Sequence, residues 1–258
     1  MKFNKLLGIL ISVLTGGLLC ASLLPAQAAH ANEHIATSQH KPNLAKNLDG
    51  LPPTALKSAI NGYRWALKHH EVSNPTMLTI VDFNKPSYEK RLWVIDLNND
   101  HVIMHMHVAQ GKNSGAVYAT RFSNQPGSLE SSPGIFTTLD EQYDGEHGES
   151  LRVNGLEPGI NSNALSRAVV IHAAWYVTPS FIKKTGYAGR SWGCFAVNPN
   201  HVDRFIHLVR GGSVLFAYAS PEKDDSRVDH HLSYTGKKMY DAITNTNANP
   251  VTRFFEAL

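Results

Sequence analysis

Cysteine is scarce in this chain of 258 residues, which contains two, Cys20 and Cys194. Cys20 lies in an apolar N-terminal run that follows two lysines and ends in Pro25-Ala26-Gln27-Ala28-Ala29. This pattern is typical of a cleavable secretory signal, with small residues where signal peptidase needs them. We expect cleavage after Ala28 or within a few residues of it, so the mature chain keeps one thiol. It then has no intramolecular disulfide, and a hydrophobic core must stabilise the fold.

An excess of charge of one sign is also lacking. Once Lys2 and Lys5 leave with the signal, 22 basic side chains stand against 21 acidic ones. Proteins that bind nucleic acid or an anionic membrane surface usually show a basic excess. We therefore expect neither kind of partner. The chain also shows no internal repeat.

Metal-binding motifs are sparse as well. His101, His105 and His107 share one face of a predicted strand. The chain has no His-Glu-x-x-His motif and no cysteine beside these histidines. We interpret them as surface residues, and we expect neither a metal nor an organic cofactor.

Two alternatives to a cleaved signal remain. A lipoprotein would carry its lipid on Cys20, but the preceding Leu19 is bulkier than the small residue that such sites usually have. An uncleaved membrane anchor would use the run from Leu6 to Leu24, which is barely long enough to span a bilayer. We favour the cleaved signal, which predicts a periplasmic or secreted protein.

The chain divides into four segments. We predict a signal peptide at 1–28, a flexible polar leader at 29–53, a folded domain at 54–220 and a polar tail at 221–258. The folded segment is long enough to bury a substantial core.

Strand patterns dominate the folded segment. Apolar, β-branched or alternating runs lie at Met77–Phe83, Leu92–Leu97, His101–Ala109, Gly134–Thr138, Arg167–Ala174 and Val214–Ala219. We predict one helix from a Thr54 cap to about His70, and another after Asn198-Pro199 that Gly211-Gly212 ends. The stretch from Tyr143 to Asn163, rich in Gly, Asn and Glu, predicts a long loop. These elements predict a mainly β domain with peripheral helices.

Cys194 lies in a polar loop, Gly189-Arg190-Ser191-Trp192-Gly193-Cys194-Phe195. The thiolate is the reactive form of cysteine, and a thiol needs a neighbouring base or cation to ionise near neutral pH. His172, 22 residues earlier and near the end of a predicted strand, is the candidate base. Backbone amides around Gly193 are candidate donors to an oxyanion, so the sequence predicts acyl transfer. The alternative is a buried structural thiol, since free cysteines are often buried.

Neighbouring residues suggest further contacts with a substrate. The Ser191 hydroxyl is a candidate partner for the cysteine or the histidine, with turn formation as the alternative. Tyr187 is a candidate donor to bound substrate, with packing as the alternative. Trp175 and Tyr176 follow the strand and either line a pocket or cover the edge of the core.

These residues resemble the L,D-transpeptidase (YkuD-like) family. Ser191-Trp192-Gly193-Cys194 is similar to its Ser/Thr-His-Gly-Cys signature, and Ile171-His172-Ala173-Ala174 is similar to its upstream His-Gly-Thr strand. The murein L,D-transpeptidase catalytic domain branch is closer still. Its Gly-Arg-Ser-x-Gly-Cys-x-Ala-Val and His-Gly-Ala-x-Tyr-Val stretches resemble Gly189–Val197 and His172–Val177. The similarity spans roughly Leu78 to Ala219 and takes in Phe122–Asn124, Gly127-Ser128, Ser131–Gly134 and Ser150–Arg152.

The resemblance implies a fold and a set of roles. It implies a β-sandwich or barrel-like catalytic domain in which Cys194 attacks the meso-diaminopimelate carbonyl of a peptidoglycan tetrapeptide stem. It further implies that His172 takes the thiol proton and that the backbone carbonyl of Ala173 orients the imidazole. The partners implied are peptidoglycan stem peptides, with a second stem or an outer-envelope protein as the acceptor.

Two departures from the family pattern affect substrate binding. Trp192 replaces the signature histidine, and Phe195 and Ala196 stand where an arginine or asparagine usually follows the cysteine. If that position grips a substrate carboxylate, either Arg190 substitutes for it or the substrate differs. The candidate substrate-binding residues are therefore Arg190, Ser191, Trp192, Tyr187 and Tyr176.

Two alternative functions stay open. An L,D-carboxypeptidase or endopeptidase would pass the same thioester to water. A non-catalytic peptidoglycan-binding scaffold would explain the altered signature by lost activity. The sequence does not indicate an oligomeric state.

Overall fold

The computed structural model describes Leu48, residues 50–145 and residues 148–219. The predicted signal, most of the predicted leader and the predicted tail from residue 221 lie outside these described residues.

Helix α1 (Pro53–Lys68) opens the described domain. Proline suits the first helical position, because its fixed φ is helical and its missing N–H has no partner there anyway. The N-cap residue is Pro52 and no side chain caps the helix, so the predicted Thr54 cap is wrong. Leu51 is buried, so the end of the predicted flexible leader belongs to the folded domain.

Eight strands form one sheet. They are β1 (Met77–Asp82), β2 (Leu92–Asp96), β3 (His101–Met106), β4 (Gly134–Gly145), β5 (Gly148–Gly155), β6 (Val170–Ala173), β7 (Phe195–Val197) and β8 (Val214–Tyr218). Their order across the sheet is β3-β2-β1-β8-β4-β5-β6-β7. The β1–β8 and β6–β7 pairs are parallel, and the other neighbours are antiparallel.

The two edges of the sheet approach each other. Val108, two residues after β3, forms a bridge with Val197 of β7, and Gly111 forms a second with Ser191. The Ala109 amide donates to the Ala196 carbonyl at 2.9 Å. The sheet is therefore a nearly closed, barrel-like structure, which confirms the predicted mainly β, barrel-like fold.

Alternation along β1 separates two hydrophobic clusters. Val81 lies in a large cluster with Phe195 and with residues of helix α3 (Pro199–Val209). Leu78 and Ile80 face the opposite way and pack with α1. Successive strand side chains point to opposite faces, so α1 covers the outer side of the barrel and α3 packs on the inner side.

A β-bulge changes the predicted alternation in β3. The sequence predicts Val102, Met104 and Met106 on one buried face, but the register shifts between Val94 and Ile95. Val102 consequently packs with the α1 cluster, whereas Met104 and Met106 lie in the large cluster. An extra residue on one strand of a bulge reverses the faces of all residues beyond it.

The predicted loop at 143–163 is wrong over its first half. Strands β4 and β5 pair antiparallel as far as Gly145 and Gly148. Leu151 and Val153 are fully buried, and the intervening Arg152 is exposed. This short alternation is a strand signal that the abundant polar residues around it obscured.

The connection from β6 to β7 contains two short helical elements. It contains a 3₁₀ turn at Trp175–Val177 and helix α2 (Pro179–Thr185), which Thr178 caps through its hydroxyl. Helix α3 begins as predicted, with the Asn198 side chain accepting the Asn200 amide. None of the described helices has the length and apolar character needed to cross a bilayer.

Candidate active site

The parallel pairing of β6 and β7 brings the segments that carry His172 and Cys194 side by side. His172 pairs with Ala196, and Ile171 pairs with Phe195. Cys194 lies in a bend directly before β7, and its nearest hydrogen-bonding groups are at the start of β6. The two residues that the sequence singles out therefore lie on neighbouring segments, His172 within β6 and Cys194 just before β7.

The sulfur of Cys194 lies against the start of β6. The thiol is half-buried and its Sγ lies 3.7 Å from the carbonyl oxygen of Ala168. Burial raises the pKa of the Cys194 thiol, whereas a hydrogen bond from the Val170 amide and the charge of Arg167 lower it. These opposing contributions are typical of a thiol whose ionisation depends on its neighbours.

The imidazole of His172 is held by its own backbone neighbour. The ring is buried, 2% exposed, and Nδ1 lies 2.8 Å from the Ala173 carbonyl oxygen. A carbonyl accepts but cannot donate, so Nδ1 must carry the proton. In the neutral ring Nε2 is then the unprotonated nitrogen, the form that a general base requires.

A hydroxyl fixes the turn that leads to Cys194. Ser191 is buried; its Oγ donates to the Cys194 carbonyl at 2.7 Å and accepts the Gly193 amide at 3.2 Å. The sequence offered turn formation as the alternative to a contact with the thiol or imidazole, and these bonds are turn contacts. The Gly193 amide is the expected oxyanion donor, but in this structure it already donates to the Ser191 hydroxyl.

Glycine is required at position 193, because another backbone segment approaches closely there. Its φ of 115° is one that side-chain-bearing residues rarely adopt, and a Cβ here would lie 2.7 Å from the Glu130 carbonyl oxygen. This glycine therefore makes room for residues 123–132, which we call the serine segment.

Arg167 is a residue of this site that the sequence analysis missed as a functional candidate. Its guanidinium donates to four oxygens of the serine segment: the Ser123 and Glu130 carbonyls at 2.7 and 2.6 Å, and the Ser132 and Ser128 hydroxyls at 2.7 and 3.2 Å. The residue stands at the start of the predicted strand Arg167–Ala174, whereas β6 begins at Val170. No local pattern indicates which distant segment such an arginine will bind.

A second segment, at the opposite edge of the sheet, holds residues 189–194, which we call the cysteine loop. The Ser191 amide donates to the Gln110 carbonyl at 2.9 Å. The Gln110 side chain accepts from Arg91, which is fully buried and also donates to the Val108 carbonyl at 2.9 Å through the same nitrogen. Burial lowers the pKa of Arg91 to about 9, opposed by the charge of Asp82. The closing edge of the barrel therefore positions the loop.

Tyr176 lies beside the thiol. Its carbonyl accepts the Gly189 amide at 2.8 Å, and a Cβ on Gly189 would lie 2.5 Å from the Tyr176 Cβ. Burial, assisted by the charge of Cys194, raises the pKa of the half-buried Tyr176 phenol to about 12. The phenol is consequently a neutral hydrogen-bond donor near the sulfur at any physiological pH.

The other candidate substrate-binding residues are more peripheral. Arg190 is exposed and donates to the Lys112 carbonyl at 3.4 Å. The Trp192 side chain is 74% exposed, and Trp175 is 69% exposed. Tyr187 is half-buried, and its carbonyl accepts the Thr185 hydroxyl at 2.7 Å. The structure therefore gives Tyr176 a position close to the thiol and leaves Trp192 on the surface beside it.

The strand histidines lie elsewhere. The ring of His105 stacks on Trp93 and its Nε2 lies 3.2 Å from the Lys90 carbonyl oxygen. His107 Nε2 lies 3.1 Å from the Tyr88 carbonyl oxygen. Within the described ranges, no group of three or more His, Cys, Asp or Glu residues is arranged to hold a metal ion.

Comparisons with known proteins place the domain. No curated protein matches the chain significantly. Among solved structures, an L,D-transpeptidase from Mycobacterium smegmatis is similar at 17% identity, over 56% of this chain and 59% of that one, with a TM-score of 0.36. An L,D-transpeptidase from Stackebrandtia nassauensis is similar at 11% identity, over 69% and 75% of the two chains, with a TM-score of 0.35. The chain thus matches about three fifths of the length of the first of these structures.

A family match carries more weight than these distant structural similarities. The model of the YkuD_2 family, described as an L,D-transpeptidase catalytic domain, matches residues 47–218. The match covers nearly all of the described domain, including β6, β7 and the loop between them. It also begins at residue 47, in agreement with the buried Leu51 ahead of α1. The chain therefore belongs to the YkuD_2 family of L,D-transpeptidase catalytic domains.

Proposed function

We propose that this protein is an exported cysteine acyltransferase that acts on peptidoglycan stem peptides. Cys194 is the nucleophile and His172 is the base. The observation that carries the proposal is the parallel register of β6 and β7, because β6 contains His172 and Cys194 directly precedes β7. The Ala173 carbonyl, bonded to Nδ1 of His172, supports the tautomer that the chemistry needs.

The proposed first half-reaction releases the terminal D-alanine of a tetrapeptide stem. The Nε2 atom of His172 takes the Cys194 thiol proton, and the thiolate attacks the meso-diaminopimelate carbonyl. The C–N bond to D-alanine breaks, and the imidazolium returns its proton to the leaving amine. A Cys194 thioester of the shortened stem remains.

The second half-reaction transfers the acyl group. The side-chain amine of a second stem attacks the thioester carbonyl, its proton passes to His172, and the thiolate leaves and is reprotonated. A new amide bond then cross-links the two stems. If water attacks in place of the amine, the product is a shortened stem, and the enzyme is a carboxypeptidase.

The oxyanion of each tetrahedral intermediate needs a donor in this scheme. Ser191 occupies the Gly193 amide, so a substrate would have to displace that hydroxyl to use it. The neutral Tyr176 phenol, which lies near the sulfur, is the alternative donor.

Export is the second element of the proposal. The first 28 residues have the basic start, the apolar run and the small-residue end of a secretory signal. Peptidoglycan lies outside the cytoplasmic membrane, so a protein with this substrate must leave the cytoplasm. Mass spectrometry of the N-terminus of the exported protein tests this, and an uncleaved chain would contradict it.

Purified disaccharide-tetrapeptide tests the chemistry. We expect the mature protein to produce a cross-linked dimer together with free D-alanine, as detected by mass spectrometry. Loss of D-alanine without a dimer would identify a hydrolase. No product, combined with a Cys194 thiol that neither iodoacetamide nor a carbapenem modifies, would identify a non-catalytic scaffold.

A further inference from the structure

Arg167 lies directly against the loop that carries the cysteine. Its Nη2 atom lies 3.2 Å from the point that a Cβ on Gly193 would occupy, and Gly193 is the residue before Cys194. The Glu130 carbonyl, which accepts from this same Nη2 at 2.6 Å, is the other group packed against Gly193. The serine segment, the guanidinium and the cysteine loop therefore meet at one point.

The acceptors of the Arg167 guanidinium are all uncharged. They are two backbone carbonyls and two serine hydroxyls. The carboxylate of Glu130 forms an ion pair with a different arginine, Arg121, at 3.4 Å. The positive charge of Arg167 therefore lies beside Gly193, the residue that precedes Cys194, while the serine segment fixes its planar fork.

Partial burial strengthens the effect of this charge. Arg167 is half-buried, and desolvation lowers its pKa, opposed by the negative charges of Cys194 and Glu130. Arg167 in turn lowers the pKa of Cys194, which burial raises. The groups around the sulfur that act through charge or hydrogen bonds are therefore Arg167, the Val170 amide, the Ala168 carbonyl and the Tyr176 phenol, with His172 further along β6.

We propose that Arg167 is the positioning residue whose charge favours the thiolate of Cys194 when His172 takes the thiol proton, and that it fixes the serine segment beside the nucleophile with the same guanidinium. The inference deepens the proposed function, because it rests on Cys194 being the reactive group. It also assigns the cation of the thiol site to Arg167, three residues before β6, and not to the exposed Arg190.

Alkylation kinetics test this charge without any peptidoglycan. The rate of iodoacetamide modification follows the thiolate fraction, so its dependence on pH reports the thiol pKa. A Cys20→Ser background leaves Cys194 as the sole thiol of the full chain. In this background we compare Arg167→Met, Arg167→Lys and Arg121→Met, with circular dichroism as the check on folding.

We expect Arg167→Met to move the inflection of the rate profile up by about one pH unit, which is about tenfold slower alkylation at pH 7. Arg167→Lys retains the charge but not the fork, so we expect a smaller upward shift. Arg121→Met is the matched control: it removes an exposed arginine just before the serine segment, which donates to the Asn113 carbonyl and pairs with Glu130. We expect it to leave the inflection unchanged.

An unchanged inflection in folded Arg167→Met would overturn the proposal, as would an equal shift in Arg121→Met. Should Arg167→Met not fold, Arg167→Gln takes its place, because it also removes the charge but keeps a hydrogen-bonding side chain: an upward shift supports the proposal and an unchanged inflection overturns it. The outcome is separable from the proposed function. If Arg167→Met shifts the inflection as expected but the parent protein forms no dimer from the disaccharide-tetrapeptide, only the proposed reaction is contradicted. If the parent protein forms the dimer but Arg167→Met leaves the inflection unchanged, only the role of Arg167 is contradicted.

Discussion

The hydroxyl of Ser191 spans the turn before the nucleophile, because it donates to the Cys194 carbonyl at 2.7 Å and accepts the Gly193 amide at 3.2 Å. One side chain thereby fixes the backbone on both sides of the glycine. Hydrogen bonds of this kind between a serine side chain and nearby backbone are common in turns. Here the turn determines the direction in which the thiol projects.

Ser191→Ala tests this turn. Loss of a buried hydrogen bond costs about 1 kcal/mol, and the turn that orients the thiol loses both of its side-chain contacts. We expect roughly tenfold slower acylation of Cys194 by a carbapenem, measured by mass spectrometry. Ser180→Ala, which changes an exposed serine of α2, serves as the control. Equal acylation rates in the two variants would show that the hydroxyl does not orient the nucleophile.

His172→Ala removes the proposed base. We expect dimer formation from disaccharide-tetrapeptide to fall by about 10²- to 10⁴-fold in kcat/KM, which is the usual contribution of a positioned base. His105→Ala is the matched control, since His105 is also a strand histidine with a carbonyl partner but stacks on Trp93 away from the thiol. We expect His105→Ala to form the dimer normally. Comparable loss in both variants would argue against His172 as the base.

Gly193→Ala tests the close approach of the serine segment. The new Cβ would lie 2.7 Å from the Glu130 carbonyl oxygen and would force a residue with a side chain to a φ of 115°. Gly127 in the same segment has a φ of 74° and open space around the Cβ position. We expect Gly193→Ala to lose acylation by a carbapenem and to be less stable than Gly127→Ala by at least about 1 kcal/mol, the scale of an unrelieved backbone strain. Equal unfolding free energies in urea would contradict this.

Glu157 predicts a dependence of stability on pH. It is fully buried, its Oε2 accepts the Ile135 amide, and burial raises its pKa to about 8 from a usual value of 4.5. The folded form therefore holds a proton that the unfolded chain releases between these values. The unfolding free energy should fall as pH rises from 4.5 to 8, by up to about 1.4 kcal/mol for each pH unit.

Glu157→Gln removes this titration. We expect the variant and the parent to differ little in unfolding free energy at pH 5 and the variant to gain in relative stability at pH 8.5, as measured by urea denaturation. The exposed Glu71→Gln is the control and should show no such gain. A Glu157→Gln difference that stays the same at both pH values would show that Glu157 does not titrate in this window.

Much of the fold could be predicted from local patterns. The helical face with Ile60 and Tyr63, the Asn198 cap and the strand ending near His172 each follow from the spacing of apolar residues and from capping chemistry. The β4–β5 hairpin and the bulge in β3 were missed. Both depend on how one strand pairs with another, and pairing register is a long-range property.

The sequence by itself determined the candidates for reactive chemistry, since Cys194 is the one thiol left after the predicted signal and His172 lies near the end of an apolar strand. Only the tertiary structure decided what surrounds them. The parallel β6–β7 pairing joined the strand of His172 to the strand that follows Cys194, and the packing of residues 123–132 against Gly193 brought Arg167 to the cysteine loop. The identity of a side chain is set by its position in the sequence. The charge and hydrogen bonds around a sulfur come instead from segments that are distant along the chain and that folding brings together.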